Sequence, residues 1–137
     1  MPLDDNRYLK GAPVAARIMD EVREAAEKAT QDGFPPRLVS ITVGDVEAVD
    51  VYVRNQRAKA EKVGIDFEER RFDADITAHE LETAIQGMNA DPRVTGIIIQ
   101  RPVPAHIPIK AIQGAIHPLK DVEGMHPASI GNIVYNQ

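Results

Sequence analysis

The order of apolar and polar positions along the chain predicts a series of alternating helices and strands. Over residues 12–29 apolar side chains recur every three or four positions, with charged side chains between them, which is the period of one face of a helix. The short β-branched run 38–43 predicts a buried strand. A second helix is expected over residues 47–63, where Gly64 ends it.

The second half of the chain continues the same alternation. Residues 66–72 alternate weakly as a strand, and Thr77 followed by Glu80 is the signature of a capping box at the start of a third helix. Residues 94–100 contain three consecutive isoleucines, which is typical of a parallel strand covered on both faces. A short helix over residues 107–116 follows.

Strands that each follow a helix predict an α/β domain of three layers, with a mostly parallel sheet flanked by helices and joined by right-handed crossovers. Ligands of such sheets bind beyond the carboxyl ends of the strands. Three polar segments are expected there: Gly44 and Asp45 after the first strand, residues 100–104 after the third, and the loop 120–124.

Composition narrows the class of partner. The 137 residues suffice for one domain, and 16 basic against 21 acidic side chains give a net charge of −5, which argues against nucleic acid. The first six residues are acidic and polar, and no run of about 18 apolar residues is present, so we expect no membrane segment and a cytoplasmic protein. The absence of cysteine fits a reducing compartment.

Several common kinds of site have no signature in this sequence. The four histidines lie in separate segments without helical pairing, so no metal site is expected. Neither glycine-rich phosphate motif is present, so no dinucleotide site is encoded in these residues. The remaining candidates are Tyr52 and Gln56, which share a helix face, with Gln100 and Glu123. Both of the first two residues also have a purely structural interpretation. Tyr52 can be a half-buried tyrosine that anchors its helix, and Gln56 can be a solvated helix residue.

A series of motifs runs in order along nearly the whole chain. They are Val-Gly-Asp at 43–45, Val-Tyr-Val-Arg-Asn at 51–55, Val-Gly-Ile at 63–65, Asn-Ala-Asp-Pro at 89–92, the segment 96–104 and the segment 120–127. Together they resemble the N-terminal catalytic domain of bifunctional methylenetetrahydrofolate dehydrogenase/cyclohydrolase. The resemblance implies the fold of an aminoacid dehydrogenase-like N-terminal domain.

The resemblance also implies an activity. Members of the family oxidise 5,10-methylenetetrahydrofolate to the methenyl form by hydride transfer to NADP or NAD, and then hydrolyse it to 10-formyltetrahydrofolate. The reduced folate lies between this domain and a Rossmann-type domain that binds the nucleotide. Residues 1–137 are therefore expected to be the folate-binding catalytic domain, with the nucleotide-binding domain absent from this chain and a homodimer formed at full length.

Carried over by position, the resemblance assigns roles to individual residues. Tyr52 matches the tyrosine that packs on the pterin, and Gln100 matches the glutamine that bonds near the reacting centre. Three positions depart from the family: Val49 replaces a serine, Gln56 replaces the catalytic lysine, and Glu123 replaces the aspartate that anchors the pterin.

Two further positions, Pro102 and Asp121, belong to the same motifs and are expected to contact the substrate.

The change at Gln56 matters most, because an amide does not titrate near neutral pH whereas a desolvated lysine can exchange a proton. Losing a positioned acid or base typically costs about 10²–10⁴ in rate. We therefore expect the dehydrogenase to persist and the cyclohydrolase to be weakened. Lys59, one turn along the helix, is a hypothetical substitute ammonium. The alternatives are a non-catalytic folate- or pterin-binding domain, and related chemistry on a different reduced pterin.

Overall fold

The structure, a computed structural model, describes residues 8–136. The acidic and polar first six residues lie outside the described residues. The elements are α1 (Gly11–Gln31), β1 (Arg37–Val43), α2 (Glu47–Lys62), β2 (Asp66–Phe72), α3 (Ala78–Ala90), β3 (Gly96–Ile99), α4 (Ile109–Ala115), a 3₁₀ turn (Pro118–Lys120) and α5 (Pro127–Tyr135). Within residues 8–136, none of the helices combines the length and the apolarity that crossing a bilayer requires.

The three strands form one parallel sheet in the order β2-β1-β3. Leu38 of the central strand lies opposite Phe67 on one side and Gly96 on the other. Helix α2 connects β1 with β2, and α3 connects β2 with β3. The predicted α/β architecture with a parallel sheet is confirmed.

The two faces of the sheet differ in chemistry, because side chains alternate along β1. Val39, Ile41 and Val43 belong to the large apolar core, to which α3, β3 and α4 also contribute. Ser40 and Thr42 therefore point to the other face, which α2 covers. The smaller cluster on that face consists of Val49, Val53, Ala60 and Phe67.

The predicted capping box begins α3. The Thr77 hydroxyl oxygen accepts a hydrogen bond from the Glu80 amide at 3.1 Å, and the Glu80 carboxylate accepts one from the Thr77 amide at 2.9 Å. These hydrogen bonds from the backbone and side chain of Thr77 lower the pKa of Glu80. Two of the donors that a helix start leaves without intrahelical partners are thereby satisfied.

Two differences from the sequence prediction concern helices. The apolar stripe of α1 is largely uncovered within the described residues, where Ala26 alone of this helix is buried. The periodic pattern marks a face that can be covered, but it does not say by what. Helix α5 was not predicted. It contains Ile130, Ile133 and Val134 but has no clear polar face, so its sequence lacks the alternation of apolar and polar positions from which a helix is recognised.

Candidate functional site

The loop that leads from β1 into α2 is held by one arginine. Arg71 donates to the Gly44 carbonyl at 3.0 Å, to the Asp45 carboxylate at 2.9 Å and to the Glu69 carboxylate at 2.9 Å, and it also pairs with Asp50. The hydrogen bond that Arg71 donates to the Asp50 carboxylate is the main reason that the pKa of Arg71 is raised. The first turn of α2 is thus fixed against the edge strand β2, which gives the side chains that follow a defined place.

Helix α2 carries three of the residues singled out in the sequence. Tyr52 is 56% exposed, and Gln56, four positions later, is partly buried on the same side of the helix. Val49 is 5% exposed and packs in the apolar cluster beneath α2. Its expected contact with a substrate stays a prediction, because the valine contributes here to the packing of α2 on the sheet.

A buried hydrogen-bonded group joins α2 to the sheet. The Gln100 amide nitrogen donates to the Ser40 hydroxyl oxygen at 2.9 Å and to the Gln56 side-chain carbonyl at 2.7 Å. Gln100 is 5% exposed and Ser40 is fully buried. We call Ser40, Gln56 and Gln100 the amide cluster. Burial of an amide is costly unless its polar atoms are paired, and this cluster pairs both hydrogens of Gln100.

Thr42 follows Ser40 on the same face of β1, but its environment differs. Its hydroxyl oxygen is buried and has no hydrogen-bond partner among residues 8–136. Of the two hydroxyl groups on this face of β1, that of Ser40 belongs to the amide cluster and that of Thr42 does not.

The loop 121–124 lies along the outer side of β3. Asp121 forms a parallel bridge with Ile97, so the loop runs in the direction of the strand and carries Glu123 towards the end where Gln100 lies. The Asp121 carboxylate accepts from the backbone amides of Met125 at 3.1 Å and His126 at 2.8 Å. Asp121 thus shapes the loop in this structure, and its expected substrate contact stays a prediction.

Lys120 anchors the same loop from the other side. Its ammonium donates to the backbone carbonyls of Met88 at 3.0 Å and Asp91 at 2.8 Å. These carbonyls belong to the end of α3, where the helix leaves acceptors unpaired.

Glu123 is the titratable side chain of this loop whose pKa is perturbed. Partial burial raises its pKa, Asp121 raises it further, and the positive charge of Arg101 opposes both. A groove of about 680 Å³ runs from this loop to α5 and is lined by Glu123, Ser129 and Asn132 among others. Pro102, two residues after Gln100, is exposed, and the Arg101–Pro102 peptide bond is cis.

Two of the histidines cap short helices in this structure. His117 accepts from the Leu119 amide at 3.1 Å, and His126 accepts from the Ala128 amide at 2.9 Å, so each caps the start of a short helix. Across residues 8–136, no three His, Cys, Asp or Glu side chains are grouped in a way that would hold a metal ion.

The structure brings some of the predicted residues together and leaves others apart. Gln56 and Gln100 are in direct contact. No hydrogen bond within the described part of the chain connects Tyr52 or Glu123 with them, and Lys59 is exposed without an ion pair among those residues. Sequence reasoning missed Ser40; the signal was a pair of hydroxyl residues two positions apart in an otherwise apolar strand.

Comparisons with known proteins show which family this chain resembles. The family model described as "Tetrahydrofolate dehydrogenase/cyclohydrolase, catalytic domain" matches residues 9–123. Bifunctional protein FolD 2 of Mesorhizobium japonicum is 76% identical over 134 residues, which are 98% of this chain and 44% of that protein. Bifunctional protein FolD 3 of Roseobacter denitrificans is 55% identical over 98% of this chain and 45% of its own.

A solved structure gives the same result. The crystal structure of the bifunctional FolD enzyme, methylenetetrahydrofolate dehydrogenase/cyclohydrolase, from Campylobacter jejuni superimposes with a TM-score of 0.87 at 33% identity. The match covers 90% of this chain and 44% of that one. The chain thus spans less than half the length of these relatives.

Proposed function

This chain belongs to the tetrahydrofolate dehydrogenase/cyclohydrolase family, and we propose that it supplies the folate-binding part of a methylenetetrahydrofolate dehydrogenase whose cyclohydrolase activity is weak. The observation that carries the proposal is the contact of 2.7 Å between Gln56 and Gln100. Residue 56 is a neutral amide where the family resemblance leads us to expect a lysine, and its contact with Gln100 supports the proposal.

The two activities make different demands on this position. Hydrolysis of a methenyl group needs a water molecule to lose a proton as it attacks, and an amide supplies no base for that proton. Oxidation of the methylene group needs chiefly the alignment of its carbon with the hydride acceptor. Gln56 and Gln100 can both serve alignment through hydrogen bonds. The substitution is therefore expected to affect hydrolysis far more than oxidation.

The nicotinamide cofactor, NADP or NAD, is proposed to bind outside these residues. The 137 residues contain no glycine-rich phosphate loop, and they span 44% of the length of the M. japonicum relative. The cofactor would supply the hydride acceptor. We assign to the remainder of the full-length protein both the cofactor site and the contacts of a homodimer.

The reduced folate is proposed to lie against the carboxyl end of the sheet. Tyr52 offers an exposed aromatic ring on which a pterin can stack. The Glu123 carboxylate can accept paired hydrogen bonds from the aminopyrimidine edge of that ring, as an aspartate would, with one more methylene in its stem. Asp121 and Pro102 complete the wall through the loops that they shape.

Separate assays of the two reactions on the full-length protein test the proposal. We expect reduction of NADP or NAD with 5,10-methylenetetrahydrofolate and little hydrolysis of 5,10-methenyltetrahydrofolate. Gln56→Lys should raise hydrolysis by about 10²-fold, because it restores a group that can exchange a proton. Gln86→Lys is the matched control, since it makes the same change at an exposed position of α3.

Two results would count against the proposal. Rapid hydrolysis by the unaltered protein, unchanged in the Gln56→Lys variant, would show that position 56 does not limit this reaction. Measurable folate binding with neither activity would favour the alternative of a non-catalytic folate-binding domain.

A further inference from the structure

The amide cluster has a polarity that follows from its hydrogen bonds. The Gln100 amide nitrogen carries two hydrogens, of which one goes to Ser40 at 2.9 Å and the other to Gln56 at 2.7 Å. The Gln100 side-chain carbonyl oxygen is then the polar atom that this residue can still offer. Gln100 therefore offers a ligand an acceptor and not a donor.

We propose that Ser40 is a positioning residue that holds the Gln100 amide in this orientation, so that its carbonyl oxygen favours the cationic methenyl form of the folate. The inference rests on the proposed function. Oxidation breaks a C–H bond of the methylene carbon, and both electrons of that bond leave with the hydrogen for the nicotinamide. The carbon is left with a positive charge that it shares with its two nitrogen neighbours. A carbonyl dipole with its negative end towards this group stabilises the charge as it develops.

The burial of Ser40 explains why one hydroxyl can control the orientation. Ser40 is fully buried and Gln100 is 5% exposed, so water does not readily replace a lost partner. Without the Ser40 oxygen, one Gln100 N–H would be buried with no acceptor. This costs more free energy than an amide turned the other way, whose buried carbonyl oxygen would still accept one of the two hydrogen bonds that it can accept. Turning the amide by half a rotation would relieve this cost, because the Gln56 amide would then turn with it and donate to Gln100. Gln100 would then offer the pocket its N–H groups in place of its carbonyl oxygen, and N–H groups disfavour a cation.

Thr42 provides an internal comparison on the same strand. It lies two residues from Ser40, on the same face, and is 2% exposed. Its hydroxyl oxygen has no hydrogen-bond partner in the described part of the chain. Removing that hydroxyl changes the polarity of the strand face but leaves the amide cluster intact.

Binding of two ligands of different charge to the full-length protein tests the inference without requiring turnover. One ligand is 5,10-methenyltetrahydrofolate, a cation at its one-carbon unit, and the other is tetrahydrofolate, which is uncharged there. Ser40→Ala should weaken binding of the cation by about tenfold, the order of one hydrogen-bonding interaction, and of tetrahydrofolate by less than about twofold. Ser40→Thr, which keeps the hydroxyl, should bind the cation as well as the unaltered protein does, relative to tetrahydrofolate. Thr42→Val should leave the ratio of the two affinities unchanged.

The outcomes distinguish a failure of the positioning role of Ser40 from a failure of the proposed function. Equal loss of both ligands in Ser40→Ala, or an equal effect of Thr42→Val, overturns the positioning role while folate binding stands. Unaltered protein that binds neither ligand overturns the proposed function and this inference with it. If Ser40→Ala does not fold, Ser40→Cys takes its place, because a thiol keeps the volume and is only a weak acceptor.

Discussion

Gly96 is expected to control the position of the loop that carries Glu123. A methyl group added at Gly96 would lie 2.5 Å from Cγ1 of Val122 and 3.3 Å from Cδ1 of Leu38. Nonbonded carbon atoms are at their optimum at about 3.5–4.0 Å, so the Gly96→Ala variant must move Val122 by about 1–1.5 Å. Valine is stiff about its first side-chain torsion, so we expect its backbone to move as well.

This displacement should reach the site, because Val122 stands between Asp121, which bridges to Ile97, and Glu123. Because the Glu123 carboxylate is proposed to accept hydrogen bonds from the pterin, we expect this displacement to lower tetrahydrofolate affinity by about tenfold, the order of one hydrogen bond. Overpacking of this kind typically costs about 1–3 kcal/mol of the free energy of unfolding. Isothermal titration and denaturant unfolding measure the two effects.

Two companion variants make the reasoning refutable. Gly96→Ala combined with Val122→Ala removes the clashing methyl and should recover most of the affinity. Gly87→Ala adds a methyl to the interior of α3, where nothing lies within 4 Å, and should stabilise the protein by about 0.5–1 kcal/mol without changing affinity. Unchanged affinity in Gly96→Ala would show that Val122 yields by rotating its exposed side chain, and that the loop is not held by this contact.

Two further predictions concern the same loop. Folate binding should weaken as the pH falls through the raised pKa of Glu123, because the carboxylate is the form that accepts hydrogen bonds from the pterin. The loss of affinity should begin at a higher pH than it would for an ordinary glutamate. Titrations of Glu123→Gln across the same pH range should show a lower affinity that does not depend on pH in this way. Lys120→Met removes both hydrogen bonds to the carbonyls at the end of α3 and should lower the free energy of unfolding by about 1–3 kcal/mol, as measured in urea, whereas Lys110→Met on the exposed surface of α4 should change it little.

The framework of the fold was predictable because its signals are local. The buried β-branched run of β1 and the Thr77–Glu80 capping box identify elements from adjacent residues alone. The third strand was predicted over residues 94–100 but spans Gly96–Ile99. Val94 and Gln100 lie outside this strand although both are buried. The Gln100 backbone amide still donates to the Ile41 carbonyl at 2.9 Å, so the prediction was wrong at the ends of the strand and not about which residues are buried.

The site was predictable only where the resemblance reached it. Gln56 and Gln100 were named from their positions in motifs, and the structure adds that they touch. Arg71 and Ser40 were missed because they have partners far away in the sequence: Asp50 is 21 residues from Arg71, and Gln100 is 60 residues from Ser40. No local pattern distinguishes Ser40, which has a hydrogen-bond partner, from Thr42, which has none among residues 8–136. Contacts between distant residues of this kind depend on strand register.

Gln56 and the orientation of Gln100 depend on one another, which changes what a restored lysine would do. Gln56 accepts from the Gln100 amide nitrogen, whereas a lysine ammonium has three donors and no acceptor. Gln56→Lys must therefore turn the Gln100 amide around, so that its carbonyl faces the ammonium. Ser40 can follow, because a hydroxyl both donates and accepts. The same substitution that supplies a proton-exchanging group for hydrolysis should consequently remove the acceptor that favours the methenyl cation. A gain in hydrolysis should therefore accompany a loss in oxidation.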